Sequence, residues 1–471
     1  MREQLLYLCG KWRPGEAGKF KPVIDPATEQ EVAGVACAGS QDLEQALAAA
    51  EQSAAKWRDT PAEERGRILQ LAADILQSRI DTASTILSEE QGKTIAQARG
   101  EFLRAIDTLT WNGKQAIVLS EPVPAGDGAR VLVPEPAGVV AAFVPWNFPA
   151  VITARKLGPA LAAGCPVILK APEEAPGAAA AIVACLAEAG IPSGVLNLVF
   201  GDPPEISTQL LASPIVRVVT FTGSTEVGRQ LARRATDQLQ RCILELGGHA
   251  PVLVFADADL DAAARDIANY KFACAGQSCN APSRILVQSA VYDAFIQRLT
   301  AIVGSIRVGP GNDPTTQMGP MANLRRLEVM ERMTSDATRR GATVTTGGSR
   351  PKRTGYFWLP TILRDVPDSA AIMQEEPFGP ILPIATFATV EEAVMKANAT
   401  RFGLAAYVFT RSAQLSEELT GRLVAGHVAI NFLQGVPPDY PIGGINDSGY
   451  GYEGGVEGFR SFQSLKLISR R

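Results

Sequence analysis

Two patterns of apolar residues follow one another along the chain. Apolar residues recur at three- and four-residue steps over 42–58 and 63–80, which predicts two amphipathic helices. From Val139 onwards, short apolar runs bounded by Gly or Pro, such as "GVVAAFVPW" and "GVLNLVFG", alternate with helical stretches. This alternation predicts strand–helix–strand units, in which helices cover both faces of a parallel sheet.

A second alternating region begins near Glu245 and includes a predicted helix over 259–273. We therefore expect an α/β protein with two parallel-sheet domains. The segment 120–133 is expected to pair with the strand-like C-terminal tail as a separate small sheet. The predicted division of the chain is 1–119 and 134–244 for the first domain, 245–440 for the second domain, and 120–133 with 441–471 for the small sheet.

The composition narrows the classes of function. The 471 residues exceed one ordinary core and fit two or three domains. A formal net charge of −4 provides no basic field that would attract nucleic acid. No apolar run reaches the roughly 18 residues that a membrane span needs. The N-terminal residues lack the pattern of a signal peptide, and the odd number of seven cysteines favours the reducing cytoplasm.

The stretch "FACAGQSCNAPSR" contains two cysteines, Cys274 and Cys279, five positions apart. A metal site is not expected here, because the chain has only two histidines and no further cysteine nearby. A redox pair stays open, although the spacing is not Cys-x-x-Cys. The sharper hypothesis is one nucleophilic thiol, Cys279, in a tight Gly–Gln–Ser–Cys turn.

A nucleophilic thiol needs a base or electropositive surroundings, because only a few per cent of a free thiol is ionised at neutral pH. No histidine is suitably placed, so a carboxylate must act as the base. Glu245 in "LELGGHAP" has apolar neighbours, and burial would raise its pKa towards that of a general base. Asn147 in "VPWNFP" offers a side-chain amide to an oxyanion. Each residue alone also has a structural interpretation, and only the combination favours catalysis.

Two further stretches are compatible with a dinucleotide. In "FTGSTEVG", Gly223 and Ser224 lie between a predicted strand and a helix, where backbone N–H groups bind phosphate. In "VILKAPEE", Lys170 and Glu173 suit ribose hydroxyls at a strand end. The alternative for "FTGSTEVG" is an ordinary strand–helix turn, and the alternative for "VILKAPEE" is a solvated loop. The "EEQGKT" stretch around Lys93 lacks the glycine spacing of a P-loop and is interpreted as a helix end.

Taken together, these motifs identify a resemblance. The stretches "PWNFP", "FTGSTEVG", "LELGG", "FACAGQSCNAPSR", "EEPFGP" and "PIGGINDSGYG", in this order, resemble the aldehyde dehydrogenase superfamily over roughly residues 10–465. The chain is most similar to succinate-semialdehyde and α-ketoglutarate-semialdehyde dehydrogenases, notably through "ARKLGPALAAG" and "SGYGYEGG". The resemblance implies the aldehyde dehydrogenase fold, with a Rossmann-like cofactor domain, a catalytic domain and a small oligomerisation sheet, assembled as a homodimer or homotetramer.

The resemblance also implies roles for individual residues. Cys279 would attack the aldehyde carbon, Asn147 and the Cys279 backbone N–H would hold the oxyanion, and Glu245 would activate the water that hydrolyses the thioester. NAD is the expected cofactor, because Glu173 would repel a 2′-phosphate, although NADP stays possible. The residues implied to contact the cofactor are Trp146, Asn147, Lys170, Glu173, Gly223, Ser224, Leu246, Glu376 and Phe378.

The chain departs from the semialdehyde enzymes where they bind the substrate carboxylate. Those enzymes typically have an arginine after the phenylalanine of the cysteine motif, and here Ala273 follows Phe272. Ile442 replaces the usual phenylalanine of the Gly-Gly tail, and Asp439 is a negative charge that could oppose an anionic substrate. Arg155 is thus the one expected substrate-binding residue, unless it pairs with a surface carboxylate instead.

We therefore expect an NAD-dependent dehydrogenase that converts an aldehyde to a carboxylic acid, with a semialdehyde such as succinate semialdehyde as substrate. A dehydrogenase for neutral aliphatic or aromatic aldehydes is the alternative. CoA-acylating oxidation is less favoured, because family members of that kind lack the glutamate at Glu245. The expected partners are a small-molecule aldehyde and further copies of the chain, with no metal, nucleic acid or membrane.

Overall fold

The computed structural model describes residues 2–126 and 129–470. The first half of the chain contains the strands β1 (Arg2–Gln4), β2 (Leu6–Leu8), β3 (Lys11–Arg13), β4 (Phe20–Ile24) and β5 (Glu31–Ala36), the helices α1 (Ser40–Asp59), α2 (Ala62–Ser78), α3 (Ile80–Gln91) and α4 (Ile95–Val118), and then β6 (Val123–Ala125), β7 (Arg130–Pro136), β8 (Val139–Phe143), α5 (Pro149–Ala162), β9 (Val167–Lys170), α6 (Pro176–Glu188), β10 (Leu196–Val199), α7 (Pro203–Ala212), β11 (Val216–Thr222), α8 (Thr225–Asp237) and β12 (Arg241–Glu245).

The second half begins another series of alternating elements. Its members are β13 (Pro251–Val254), α9 (Leu260–Phe272), β14 (Arg284–Gln288), α10 (Tyr292–Gly304), α11 (Leu324–Arg339), β15 (Thr343–Thr346), β16 (Thr361–Arg364), α12 (Ala371–Gln374), β17 (Ile381–Phe387), α13 (Val390–Ala397), β18 (Phe402–Gly403), β19 (Ala405–Phe409), α14 (Ala413–Arg422), β20 (His427–Ile430), β21 (Ile445–Asn446), β22 (Gly449–Tyr450), α15 (Gly455–Arg460) and β23 (Gln463–Ser469).

The first large sheet has eight strands in the order β22-β12-β11-β8-β9-β10-β2-β3. The five central strands run parallel, and the strands at both ends pair antiparallel with them. All five residues of β8 are buried, which explains why its sequence is continuously apolar rather than alternating. The parallel strands end at one edge of the sheet, where ligands bind in open α/β folds.

The second large sheet has seven strands in the order β15-β16-β17-β14-β13-β19-β20, parallel except at β15. Each large sheet has its own apolar core. One core runs from Leu6 to Leu246 and adds Phe459 and Phe462 from the C-terminal part, and the other runs from Ala250 to Leu433. The change between the two cores thus lies between β12 and β13.

A separate sheet of three antiparallel strands has the order β23-β7-β6. Its long ladder pairs Gln463 with Pro136 at one end and Ser469 with Arg130 at the other. The tail therefore pairs with a strand that extends past the predicted segment 120–133, and residues 127 and 128 of that segment lie outside the described residues. Leu465 and Leu467 on β23 are exposed.

The first 36 residues differ from the helical pattern of the rest of 1–119. Strands β2 and β3 extend the eight-stranded sheet, while β1, β5 and β4 form a small sheet of their own. Three of these strands are only three residues long, too short for an alternating pattern to be recognised. None of the helices in the described part of the chain combines the length and apolar character needed to cross a membrane.

Candidate active site and cofactor cleft

Most of the site residues that the sequence predicted line one cavity of about 830 Å³. Its walls come from the loops after β8, β11 and β12, from the turn after α9, and from the loop before β17. The predicted site residues that line it are Trp146, Asn147, Arg155, Gly223, Ser224, Glu245, Leu246, Cys279, Glu376 and Phe378. Residues more than 200 positions apart in the chain thus share one enclosed space.

Cys279 follows a strained turn at the end of α9. Cys274 and Ala275 have φ values of 50° and 51°, which is the left-handed region that non-glycine residues rarely adopt. A Cβ on Gly276 would lie 2.3 Å from the carbonyl oxygen of Gly379, so only glycine fits there. The close approach fixes the cysteine turn against the loop that carries Glu376 and Phe378.

The Cys279 thiol is half-buried. Its pKa is raised to about 12, chiefly by burial and in addition by the carboxylates of Glu376 and Glu245, while Arg155 lowers it. The thiol is therefore protonated at neutral pH and can act as a nucleophile only if a nearby group accepts its proton.

Glu245 ends β12 and is 6 % exposed. Burial raises the pKa of Glu245 well above its usual value, the neighbouring Glu453 raises it further, and Lys156 and Arg155 lower it. Its Oε1 has no hydrogen-bond partner among the described residues. The carboxylate thus has the raised proton affinity that its apolar neighbours predicted, and it has a free oxygen with which to accept a proton.

Hydrogen bonds hold Asn147 through both its side chain and its backbone carbonyl. Its Nδ2 donates to the carbonyl of Gln277 at 3.1 Å, and its own carbonyl accepts from Lys93 Nζ at 2.8 Å. Gln277 is fixed in turn, because its amide donates to Cys274 O at 2.9 Å and accepts from Ala322 N at 2.9 Å. One N–H of the Asn147 amide stays available for an oxyanion.

Lys93 makes contacts that its interpretation as a helix end did not predict. Gly92 does end α3 with a φ of 91°, but the ammonium of Lys93 then reaches into the interior. It pairs with Glu101, and both side chains are fully buried. Glu101 also accepts from the N–H of Ala150 at 2.8 Å, in the first turn of α5. This buried pair therefore fixes the loop that carries Asn147.

A second buried ion pair lies behind Glu245. Lys156 on α5 donates to Glu453 at 2.6 Å and to Thr220 Oγ1 at 3.0 Å. Lys156 is fully buried and the Glu453 side chain is 6 % exposed. Both charges act on Glu245, in opposite directions.

Arg155 precedes Lys156 on α5 and lines the cavity. Its Nη2 donates to the carbonyl of Val436 at 3.2 Å. Across residues 2–126 and 129–470 no carboxylate lies within ion-pair distance of Arg155. The structure therefore does not contain the alternative ion pair with a surface carboxylate. Its charge acts on Cys279 and Glu245, which places it on the reactive side of the cavity.

The departures noted in the sequence lie around the same cavity. Ala273 and Ile442 both line it, so neither an arginine nor a phenylalanine side chain occupies these two positions of its wall. Asp439 is exposed and is not among the lining residues. It is not placed to oppose a substrate anion inside the cavity.

A second cavity of about 780 Å³ continues from the first and shares Trp146, Gly223 and Ser224 with it. Lys170 and Glu173 line its far end. Glu173 accepts from Lys170 Nζ at 2.9 Å and from Gly201 N at 2.8 Å, which holds the carboxylate in one orientation. The two cavities together form an elongated cleft that suits a dinucleotide.

The wall between the two cavities contains the remaining predicted cofactor residues. Ser224 is the N-cap of α8, and Leu246 packs against that helix, where a Cβ on Gly228 would lie 2.4 Å from its side chain. The rings of Trp146 and Phe378 meet edge to face with centroids 5.6 Å apart. These residues shape a slot that leads from the helix N-terminus to the thiol.

Glu376 lies on the opposite wall. Its Oε1 accepts from the N–H of Gly248 at 3.1 Å. The pKa of Glu376 is raised to about 7 by burial, against the opposing effect of the Gly248 N–H, Arg326 and Lys271. Within the described ranges no cluster of three or more His, Cys, Asp or Glu side chains is placed to bind a metal ion.

Comparison with known proteins places the chain in a family. The profile of the aldehyde dehydrogenase family matches residues 12–468, so the chain belongs to this family of oxidoreductases that act on aldehydes. A 4-(hydroxymethyl)benzenesulfonate dehydrogenase of Comamonas testosteroni is 41 % identical over 98 % of both chains. The NADP-dependent succinate-semialdehyde dehydrogenase of Escherichia coli is 37 % identical over 99 % of this chain and 97 % of its own.

A solved structure shows the same fold. The crystal structure of succinate-semialdehyde dehydrogenase from Burkholderia pseudomallei superposes with a TM-score of 0.96 at 38 % identity, covering 99 % of this chain and 97 % of that one. The expected family and fold are thereby confirmed.

Several residues of the site were not predicted from the sequence. The clearest are the buried pairs Lys93–Glu101 and Lys156–Glu453. Lys156 and Glu453 are almost 300 positions apart, and no spacing rule connects them. The one available signal was a lysine inside the apolar stretch "ITARKLGPALAAG", since a buried lysine requires a partner.

Proposed function

We propose that the protein oxidises an aldehyde to a carboxylic acid through a covalent adduct on Cys279, with a nicotinamide cofactor as hydride acceptor. The observation that carries this proposal is the shared cavity of Cys279, Glu245 and Asn147. It places a thiol, a carboxylate of raised pKa and an amide donor around one space large enough for a reacting carbonyl.

In the first step the proton of the Cys279 thiol passes to a base in the cavity, for which Glu245 is the candidate, and Sγ forms a bond to the aldehyde carbon. The carbonyl oxygen becomes an oxyanion, which accepts from the free N–H of Asn147 and from the backbone N–H of Cys279. A nicotinamide held in the cleft would supply the hydride acceptor as the oxyanion re-forms the C=O bond. The product on Cys279 is a thioester.

In the second step Glu245 takes a proton from water, which attacks the thioester carbon and displaces the Cys279 thiolate as the acid is released. The buried carboxylate of Glu245 favours water as the acyl acceptor over coenzyme A, because an activated water requires this base. A single-turnover assay of acid formation without coenzyme A tests the point. A strict requirement for coenzyme A would overturn it.

The cleft fits NAD. Lys170 and Glu173 would bind the adenosine ribose hydroxyls, Gly223 and Ser224 at the N-terminus of α8 the pyrophosphate, and Glu376 the second ribose. Trp146, Leu246 and Phe378 would pack around the nicotinamide. The fixed carboxylate of Glu173 favours NAD over NADP, since a 2′-phosphate would bring like charges together.

We further propose that the physiological aldehyde carries an anionic group remote from its carbonyl. The support is Arg155, a cavity guanidinium without a carboxylate partner among the described residues. The relatives named for succinate semialdehyde, for 3-sulfolactaldehyde and for a benzenesulfonate all have names that imply such an anion. The expected substrate is therefore a carboxylate- or sulfonate-bearing aldehyde.

A substrate panel tests the function directly. Initial rates with NAD and with NADP would be measured on succinate semialdehyde, 4-formylbenzenesulfonate, benzaldehyde and butanal. The expected result is a higher kcat/KM for the anionic aldehydes than for neutral ones of similar size. Preference for benzaldehyde and butanal would instead support the neutral-aldehyde alternative.

The small sheet β23-β7-β6 is proposed as an oligomerisation element, with assembly to a homodimer or homotetramer in the cytoplasm. The support is the exposed apolar pair Leu465 and Leu467 on its long strand β23. Light scattering during gel filtration would measure the mass, and replacing both leucines by lysine should shift it to that of a smaller assembly.

A further inference from the structure

The outer part of the first cavity is bounded by one face of each of two neighbouring helices. Gly100 and Arg104 on α4 line it one turn apart, and Arg155 on α5 lines it farther in. Glu101 contacts the first turn of α5 through Ala150 N. Arg104, one turn later on α4, therefore lies near the start of α5.

Arg104 has no ion-pair partner in the described part of the chain, although it lines a cavity and carries a full charge. Arg99, on the same helix, pairs with Asp81 at 3.2 Å. The Arg104 side chain folds back along α4, and its Nη1 lies 3.9 Å from the position of a Cβ on Gly100. The guanidinium is thus directed along the cavity rim without a carboxylate to neutralise it.

Tyr270 connects this rim to the thiol. The pKa of Tyr270 is raised to about 12, chiefly by burial and in addition by Cys279, while the charge of Arg104 lowers it. Its phenol is therefore within electrostatic reach of both residues. Arg155 is half-buried and acts on Cys279, whereas Arg104 is exposed, so the two guanidinium groups lie at different depths.

The lining of the same cavity includes aromatic side chains. Phe148, Tyr270 and His427 all line the cavity, and a flat ring packs well against such walls. A short semialdehyde with its carbon at Cys279 reaches Arg155 first. A longer and rigid aldehyde would extend its far end towards Arg104.

We propose that Arg104 is an outer specificity residue that binds the anionic group of aromatic aldehydes whose sulfonate or carboxylate lies opposite the carbonyl. This inference rests on the proposed function, because it assumes that aldehydes enter past Arg155 to reach Cys279. Arg155 then serves short anionic aldehydes, and Arg104 extends the range to ring-sized ones.

The test compares kcat/KM ratios for three aldehydes, 4-formylbenzenesulfonate, benzaldehyde and succinate semialdehyde, in Arg104→Leu and the wild type. The ratio of the sulfonate to benzaldehyde should fall by roughly 5-fold, the size expected for an exposed ion pair. The ratio of the sulfonate to succinate semialdehyde should fall as well. Arg104→Lys should recover part of the loss.

Salt provides a second readout that a structural role would not change. The kcat/KM for 4-formylbenzenesulfonate should decrease with ionic strength in the wild type, and more weakly in Arg104→Leu. Arg99→Leu is the matched control, since it removes an exposed arginine of the same helix outside the cavity and should leave both kcat/KM ratios unchanged.

Two kinds of failure are distinguishable. Equal losses on the sulfonate and benzaldehyde in Arg104→Leu, while Arg155→Leu still lowers kcat/KM selectively for the anionic substrates, would overturn the role of Arg104 alone. A wild-type enzyme that prefers benzaldehyde to both anions would overturn the proposed substrate class and this inference with it.

Discussion

Replacing Glu245 by glutamine tests the proposed chemistry most directly. The change preserves the size and shape of the side chain but removes its ability to accept a proton. Glu245 is 6 % exposed and its Oε1 has no hydrogen-bond partner among the described residues, so the substitution breaks no described contact of that oxygen. Loss of a general base costs roughly 10²- to 10⁴-fold, so hydrolysis of the thioester should slow by that factor.

The assay is rapid-mixing absorbance of NADH with saturating aldehyde. If deacylation alone is impaired, a burst near one equivalent per site should precede a slow steady state. If Glu245 also accepts the Cys279 proton, the burst itself should slow, because burial raises the pKa of Cys279 to about 12. Both outcomes retain Glu245 as the base, and near-wild-type turnover would refute it.

The pH dependence follows from the same carboxylate. Burial raises the pKa of Glu245 above its ordinary value of 4.5, and only the ionised form accepts a proton. Activity should therefore rise with pH through that raised pKa and fall as pH decreases below it. In Glu245→Gln the residual rate should no longer show this rise with pH. An unchanged rise would assign the pH dependence to another group.

Four further outcomes are expected. Cys279→Ala should abolish aldehyde oxidation while NAD still binds in a fluorescence titration. Cys274→Ala should retain substantial activity, and equal inactivity of the two variants would point to a pair of thiols. Glu173→Ser should narrow the ratio of kcat/KM for NAD over NADP, and a wild type faster with subsaturating NADP would contradict the ribose assignment. Arg155→Leu should lower kcat/KM for succinate semialdehyde relative to butanal by roughly 10- to 150-fold, as expected for a charge-assisted hydrogen bond, and equal losses would make Arg155 structural. Glu101→Ala should lower the thermal unfolding midpoint, since breaking a buried ion pair costs about 3–5 kcal/mol, and an unchanged midpoint would refute its positioning role.

The sequence predicted those parts of the fold that repeat a regular pattern. Helices α1 and α2 follow the three- and four-residue spacing, and β8 and β10 are the apolar runs bounded by Gly or Pro. The short strands β1 to β3 escaped prediction because three residues contain no period. Their positions depend on pairing with distant strands, such as β2 with β10, which no local pattern encodes.

The candidate site was predictable to the extent that its residues lie in motifs. Cys279, Glu245 and Asn147 each follow a strand or a tight turn, and the carboxyl ends of parallel strands meet at one edge. The ion pair of Lys156 with Glu453 and the contact of Lys93 with Asn147 could not be predicted, because they join elements by packing alone. The direction of the Arg155 side chain could not be predicted either, because it depends on the contact of α5 with the distant Val436.

Helix α5 carries both residues that act on the reacting groups and the proposed substrate-binding residue. Glu101 holds its first turn, and Lys156 on its buried side supports the carboxylates behind Glu245. The adjacent Arg155 lines the cavity, and its charge lowers the pKa of both Cys279 and Glu245. We expect a substitution at Arg155 to change which aldehyde is favoured and to raise the pKa of both groups, while the buried pairs keep the groups around Cys279 in place. Because Ala273 leaves that wall without a second cation, the charge that Arg155 supplies should dominate recognition of short anionic substrates.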